Sequence, residues 1–151
     1  MEQDITKVIV FQLVNEEYVF PIENVRSIEK LQPITRVPHT LEFVKGVINL
    51  RGVIIPILDL RKLFGMTEAA YTDQTRIIII THDDYEVGLI VDSANDVLDI
   101  PNDSIEQQPE IVGTLKVEYI NGVVKVDDRL LIMLTLEHIL QLNHMKEIAI
   151  G

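Results

Sequence analysis

The sequence has no cysteine and no tryptophan. Without cysteine there is no disulfide framework and no thiolate metal site, and the composition suits a reducing compartment. Aromatic residues make up only 5% of the chain against 47% apolar residues, so the core must be aliphatic. Ile and Val dominate it, and β-branched residues favour strands. No apolar run approaches the roughly 20 residues that a membrane-spanning helix needs. The opening Met1-Glu2-Gln3-Asp4 is acidic and has no apolar signal region. Basic clusters are missing too: 13 Lys and Arg are scattered among 24 Asp and Glu, for a net charge of −11. An acidic surface repels phosphate, and single-strand binding needs a basic groove with stacking aromatics, so nucleic acid is not an expected partner. These absences point to a cytoplasmic protein without direct membrane insertion, and 151 residues suit one domain.

Catalytic constellations are equally absent. His39, His82, His138 and His144 have no metal-ligand spacing to one another, and His138 and His144 miss the i, i+4 spacing of a helical metal pair. The paired acids Asp83-Asp84 and Asp127-Asp128 read as solvated turns, where Asp is favoured. No Gly-rich loop opens a helix as phosphate binding requires, and no Ser sits in a nucleophile-elbow context. The expectation is a binding module with no catalytic residues, no cofactor and no metal.

The stretch Lys45-Gly46-Val47-Ile48-Asn49-Leu50-Arg51-Gly52-Val53-Ile54-Ile55-Pro56-Ile57-Leu58-Asp59-Leu60-Arg61 organises the rest. It reads as two apolar strands around an Asn49–Gly52 turn, because Asn and Gly tolerate positive φ. Pro56 cannot donate to a ladder and predicts an edge or a bulge. Asp59 reads as the N-cap of a short helix with Leu60, Leu63 and Phe64 on one face and Gly65 as its stop. Arg51 is a forked cation on a rigid turn: for an arbitrary turn a solvated arginine is the commoner reading, a cation aimed at a partner's carboxylate or carbonyl the functional one, and position alone does not decide.

Strands are predicted over 7–14 and 18–22 around a 15–17 turn, then a helical turn near 23–28 running into a strand that ends near Leu31. A Pro-interrupted loop follows over 32–40. After a polar connector over 66–74, strands are predicted over 75–80 and 85–91, with a turn over 81–84, and a further element over 93–100. Then come a helical turn at 104–107, strands over 115–120 and 123–126 joined by an Asn121-Gly122 hairpin turn, a strand over 129–134, and a helix over 136–142 capped by Thr135. The isoleucine run of 77–80 is that of a strand buried on both faces or packed in a small barrel.

The chain also repeats its own pattern. An ungapped shift of 76 residues (122 − 46) places Gly46 on Gly122, Val47 on Val123, Leu58 on Leu134 and Leu60 on Leu136. The opening hairpins, 7–18 and 76–85, correspond loosely as well. Each half thus supplies about five short strands and a terminal helix. Strands that short close into small barrels, so the expected fold is all-β: two five-stranded barrels side by side, about 7–70 and about 75–142, with a groove between them.

With these motifs placed, the sequence resembles the CheW family of chemotaxis coupling proteins. The resemblance rests on Lys45-Gly46-Val47-Ile48-Asn49-Leu50-Arg51-Gly52 with the strand after it, on Val87-Gly88-Leu89-Ile90-Val91-Asp92 with Asp96-Val97-Leu98, and on Asp128-Arg129-Leu130-Leu131-Ile132-Met133-Leu134. It implies SH3-like barrels and a non-catalytic adaptor. Such adaptors join the cytoplasmic tips of methyl-accepting chemotaxis receptors to the regulatory domain of the histidine kinase CheA in membrane-associated arrays. By resemblance, Arg51, Lys45, Gly46, Val25, Ile77 and Val97 are receptor-contact residues, the last two and Val25 near the groove. Ile34, Thr35, Arg36 and Val37 lie on the kinase face, and a second kinase contact on the other barrel is implied without residues. The same domain also ends CheA and opens CheV; with neither a kinase region nor a receiver in the sequence, a free-standing coupling protein is expected. Service in a non-chemotaxis kinase pathway is the alternative, and a nucleic-acid-binding small barrel is the weaker one.

Overall fold

The structure, a computed structural model, describes residues 4–38, 42–67, 69–82, 84–106 and 120–135. Ten strands run in order: β1 Ile5–Leu13, β2 Glu16–Pro21, β3 Val25–Lys30, β4 Val44–Leu50, β5 Val53–Asp59, β6 Arg76–His82, β7 Tyr85–Val91, β8 Ser93–Pro101, β9 Ile120–Val126 and β10 Arg129–Leu134. A single-turn helix, α1 Leu60–Leu63, follows β5, and 3-10 turns at Ile22–Asn24 and Asn102–Ser104 follow β2 and β8. Asp59 caps α1 as expected, accepting the Lys62 N–H through its side chain. The predicted helix over 136–142 and nearly all of the predicted strand over 115–120 lie outside the described residues.

The strands form two five-stranded sheets, β8-β1-β2-β10-β9 and β3-β6-β7-β5-β4. Their membership corrects the expected division at the connector. β1 and β2 pair not with β3–β5 but with β8–β10, and β6 and β7 join β3–β5. The two halves therefore exchange their opening hairpins. The exchange is made by two parallel pairings, β2 with β10 (Tyr18 opposite Ile132) and β5 with β7 (Leu58 opposite Leu89). The halves 7–70 and 75–142 interlock, and each sheet, here named the β1 barrel or the β5 barrel, draws on both.

The packing explains the long apolar runs of the inner strands, such as Ile77–Ile80 in β6 and Val87–Val91 in β7. Val8, Val10, Val19, Val124, Leu131 and Met133 fill the β1 barrel, and Ile48, Ile55, Ile57, Ile77, Ile79 and Ile90 fill the β5 barrel. A third layer of buried residues, among them Ile9, Phe11, Tyr18, Leu58, Ile78, Ile80, Leu89 and Ile132, is drawn from both sheets. Successive side chains of a strand point to opposite faces. In β6, Ile77 and Ile79 therefore face the barrel interior while Ile78 and Ile80 face the shared layer. Much of the space between the barrels is thus packed core, and the expected groove is confined to its rims.

The internal repeat is visible in the backbone. Thr35 and Val47 exchange two backbone hydrogen bonds of 2.8 and 2.9 Å, and Glu106 and Val123 exchange two of 2.9 and 3.0 Å. In each barrel this bridge ties an incoming loop to the outer edge of the terminal hairpin. Gly46 makes the first one possible: its φ is +147°, and an added Cβ would lie 2.1 Å from the Thr35 carbonyl oxygen. Gly122, at φ +134°, stands in the same relation to Glu106 O, at 2.9 Å. Gly122 is therefore a bridge residue inside β9, which corrects the hairpin turn predicted at Asn121-Gly122. The turns themselves fall at Arg51 (φ 52°) and Asp127 (φ 55°), again 76 residues apart (127 − 51).

Of the edge or bulge expected at Pro56, the edge is ruled out, because β5 lies between β7 and β4, while a β-bulge between Val44 and Gly46 interrupts the ladder beside it. The partner of Pro56 across the ladder is Val47, whose own N–H and C=O point away from β5 to Thr35. Such a non-hydrogen-bonded pair leaves the Pro56 nitrogen facing β7, where pairing begins only at Ile57. No ladder bond is lost there, so proline is tolerated inside the sheet.

Candidate functional site

Among the described residues, exposed apolar side chains gather on two surfaces, with Val14 and Leu130 exposed apart from them. The first follows the rims of the shared layer along the edge strands β3 and β8. Val97 is opposite Ile9 and Ile28 opposite Ile78, so both continue rows that begin inside the layer, yet they are 49% and 38% exposed. Val25, opposite Ile80, is half-buried against the layer, and Ile5, on the same face of β1 as Ile9, is exposed. Edge strands facing a packed layer cannot bury their outermost residues without a partner. An amphipathic helix laid along such a rim would supply the missing apolar face.

The second surface is the β4–β5 hairpin and the loop bridged to it. Arg51 lies at the tip. The Gly52 N–H donates to Asn49 Oδ1 at 2.8 Å and fixes the turn. The Arg51 side chain is 75% exposed, and its Nη1 lies 3.8 Å from Glu29 Oε2. Beside it, Val53 and Ile54 are exposed, Ile54 by 60%. Thr35 and Arg36 are exposed, while Ile34 and Val37 are half-buried, with Ile34 packed against the interior of the β5 barrel. Lys45 Nζ stands 5.6 Å from the centre of the Tyr71 ring, a cation–π distance. The Tyr71 hydroxyl in turn donates to Asp59 Oδ2 at 3.2 Å.

The residues assigned to receptor contact by resemblance therefore separate. Arg51, Lys45 and Gly46 belong to the hairpin, Val25 and Val97 to the rims. Ile77 is a correction: it is fully buried inside the β5 barrel and reaches no surface, because its strand has barrel interior on one side and shared layer on the other. Gly46 is buried too and acts through its backbone space. Several exposed residues of these surfaces went unassigned in the sequence, Ile5, Ile28, Val53 and Ile54 among them, and so did Glu29, whose side chain is largely buried. For Ile28 strand alternation misleads, because Val25 and Ile28 are an odd number of residues apart and share the rim only through the β-bulge between Val25 and Ser27. For Ile54 no signal separates it from the buried Ile55.

Among the described residues no group of three or more His, Cys, Asp or Glu is arranged to hold a metal. His39, His138 and His144 lie outside the described residues. A depression of about 160 Å³ contains Asp59, Arg61, Tyr71 and Asp92, but these polar groups are already engaged with one another. The Arg61–Asp92 hydrogen bonds hold the Arg61 guanidinium above its ordinary pKa against the opposing effect of burial.

Among the described residues no helix is long and apolar enough to cross a membrane. The family model described as CheW-like domain matches residues 7–144. The chemotaxis protein CheW of Bacillus subtilis is 48% identical over 125 residues, which cover 83% of this chain and 80% of that protein. Its namesake in Klebsiella aerogenes is 38% identical over 137 residues, covering 91% and 82%. Among solved structures, the scaffolding protein TtCheW from Thermoanaerobacter tengcongensis superposes with a TM-score of 0.84 at 37% identity, covering 94% of this chain and 92% of that one. With the matched residues spanning both interlocked barrels, the chain belongs to the CheW family.

Proposed function

We propose that the protein is a non-catalytic adaptor that couples methyl-accepting chemotaxis receptors to the histidine kinase CheA and lets receptor state control the kinase. The observation that carries this reading is the separation of two exposed apolar surfaces on one interlocked fold. The rims, with Val97, Val25 and Ile28, suit a helical hairpin of a receptor tip. The loop with Ile34, Thr35, Arg36 and Val37, together with Val53 and Ile54, suits the barrel-shaped regulatory domain of the kinase. Arg51 and Lys45, on the β4–β5 hairpin, suit carboxylates or carbonyls at the receptor end. A single partner would need only one such surface. The adaptor acts in the cytoplasm and reaches membrane arrays through its partners.

The test is two separate pulldowns, one with the kinase regulatory domain and one with a receptor cytoplasmic fragment. Binding to both is expected. Binding to only one removes the coupling role, and binding to neither, with partners from the same cell, removes the adaptor reading and leaves the fold.

A further inference from the structure

The turn between β1 and β2 contains a conformation that its own sequence does not favour. Val14 has φ +49°, in the left-handed region. A β-branched residue there is an outlier that persists only where its surroundings hold it. Packing does not hold Val14, which is 41% exposed. Its N–H donates instead to Asp92 Oδ2 at 2.9 Å. Asp92 is the one residue between β7, in the β5 barrel, and β8, the edge strand of the β1 barrel. Its own N–H donates to Gln12 O at 3.0 Å. Its carboxylate accepts a fork from Arg61, Nε at 2.8 Å to Oδ1 and Nη2 at 2.5 Å to Oδ2. The third nitrogen of Arg61, Nη1, donates to Thr67 O at 2.8 Å. Arg61 and Asp92 side chains are only 18% and 30% exposed.

These bonds join three elements that belong to different barrels. Arg61 lies in α1, which follows β5, Val14 is the first turn residue after β1, and Asp92 is where the chain passes from the β5 barrel to the β1 barrel. We propose that Arg61 and Asp92 form a latch that fixes the angle of β8 against the β5 barrel and so sets the separation of the two docking rims. They are positioning residues and touch no partner themselves. Strand β8 starts at Ser93 and presents Val97 four residues later (97 − 93), so its direction at the crossover decides where Val97 stands relative to Val25 and Ile28 on β3. The bidentate fork fixes direction as well as distance, which a point charge does not. In the sequence the position 76 residues after Arg61 is Glu137 (61 + 76), so the repeat does not place a second arginine in the other half. The inference that the latch governs docking rests on the adaptor reading above; the inference that it fixes the rims does not.

The experiment separates the two. The chain has no cysteine, so spin labels attach only where Cys is introduced. Lys30→Cys on β3 and Asn95→Cys on β8 are both exposed positions, and pulsed dipolar spectroscopy reads the distance between them. A narrow distribution is expected in the parent, and a broadened or displaced one in Arg61→Ala and Asp92→Asn. An unchanged distribution in both variants overturns the latch. The same variants are then titrated with a receptor helical-hairpin fragment and with the kinase regulatory domain. Receptor affinity is expected to fall roughly tenfold or more, because the rims are no longer preorganised, while kinase affinity through the loop of residues 34–37, which lies on the β5 barrel alone, stays near the parental value. Equal loss of both means general destabilisation and overturns the positioning role; if the parent binds neither partner, the adaptor reading fails and the distance measurement still decides the latch. Should Arg61→Ala not fold by circular dichroism, Arg61→Lys takes its place. It keeps the charge without the fork and is expected to widen the distance distribution without unfolding the protein.

Discussion

Arg51 Nη1 stands 3.8 Å from Glu29 Oε2, and the contact crosses the seam of the β5 barrel. Glu29 lies on β3 and Arg51 on the turn after β4, the two edges of one sheet. The carboxylate end is 15% exposed and the guanidinium end 75%. A pair so exposed at one end contributes about 0–1 kcal/mol. The contact holds one end of the guanidinium near β3 and leaves the side chain 75% exposed, open to a partner. Arg51→Ala is therefore expected to change unfolding free energy by less than about 1 kcal/mol and to weaken binding of a receptor-tip fragment about tenfold or more, as arginine hot spots do. Chemical denaturation and isothermal titration calorimetry read the two quantities. A loss of several kcal/mol in stability, or unchanged binding, sinks the assignment of Arg51 as a contact residue.

Gly46 and Gly52 lie six residues apart (52 − 46) and are expected to respond very differently to the same substitution. An alanine at 46 would drive its Cβ into the Thr35 carbonyl at 2.1 Å and would hold φ at +147°. Backbone on both sides leaves nothing to yield. Gly46→Ala should cost about 3 kcal/mol or more and detach the loop containing residues 34–37. Gly52 also has positive φ, +88°, but meets nothing within 4 Å. Gly52→Ala should cost only about 1 kcal/mol of conformational strain. Paired thermal melts test the contrast, and hydrogen exchange at the Thr35 and Val47 amides locates it. Similar losses in the two variants would show that steric closure of the barrel is not what Gly46 provides.

Ile77 and Val97 carried the same expected role but occupy opposite environments. Ile77 is fully buried and Val97 is 49% exposed. Ile77→Val removes one methylene from a filled barrel and should cost about 0.5–1.5 kcal/mol with receptor binding unchanged in the folded fraction. Val97→Ala should leave stability within about 0.5 kcal/mol and lower receptor affinity, and Val97→Asp should lower it further by placing a charge on the apolar rim. Calorimetric unfolding beside a receptor-fragment titration distinguishes them. A Val97→Asp protein that binds normally removes the β8 rim from the docking surface.

Much of this architecture was legible locally. Asp59 as a cap, Arg51 in a turn, the isoleucine run of β6 and the shift of 76 residues are short-range patterns, and short-range physics determines them. What escaped was which hairpin pairs with which. β1–β2 and β6–β7 are alike in pattern, so their exchange between halves leaves no mark in composition or spacing, and only the parallel pairings of Tyr18 with Ile132 and Leu58 with Leu89 reveal it. The same ambiguity misplaced Ile77. A strand buried on both faces has no alternation to say which isoleucine faces a partner and which a barrel interior. Asn121-Gly122 failed for a related reason. The dipeptide is a strong turn signal, but here the glycine is required by the backbone bridge to Glu106 and sits inside β9. Pairings such as Arg61 with Asp92 join residues 31 positions apart (92 − 61) and had no local signature at all.

The mouth of the β1 barrel gives a prediction in pH. Arg129 donates from Nε to Glu17 Oε1 at 3.0 Å and from Nη2 to Glu17 Oε2 at 2.7 Å, and its Nη2 also lies 3.4 Å from Asp96 Oδ2. The three residues come from β10, β2 and β8 and stand on the strand faces that bury Leu131, Val19 and Leu98 deeper in the barrel. The Arg129 hydrogen bonds hold the Glu17 carboxyl below its ordinary value of 4.5, against a smaller opposing effect of burial. A carboxylate whose folded pKa is depressed stabilises the fold fully above its unfolded pKa and loses that contribution as pH falls through the folded value. Both side chains remain partly exposed, 24% for Glu17 and 34% for Arg129, so the contribution at neutral pH is at most about 1 kcal/mol. Glu17→Gln mimics the protonated carboxyl. The gap in unfolding free energy between parent and variant should be present near pH 7, persist down to the ordinary carboxylate value of 4.5, and close as pH falls further through the depressed folded value. Urea unfolding across that range measures it, and a gap independent of pH would mean that the Glu17 charge contributes nothing to the barrel mouth.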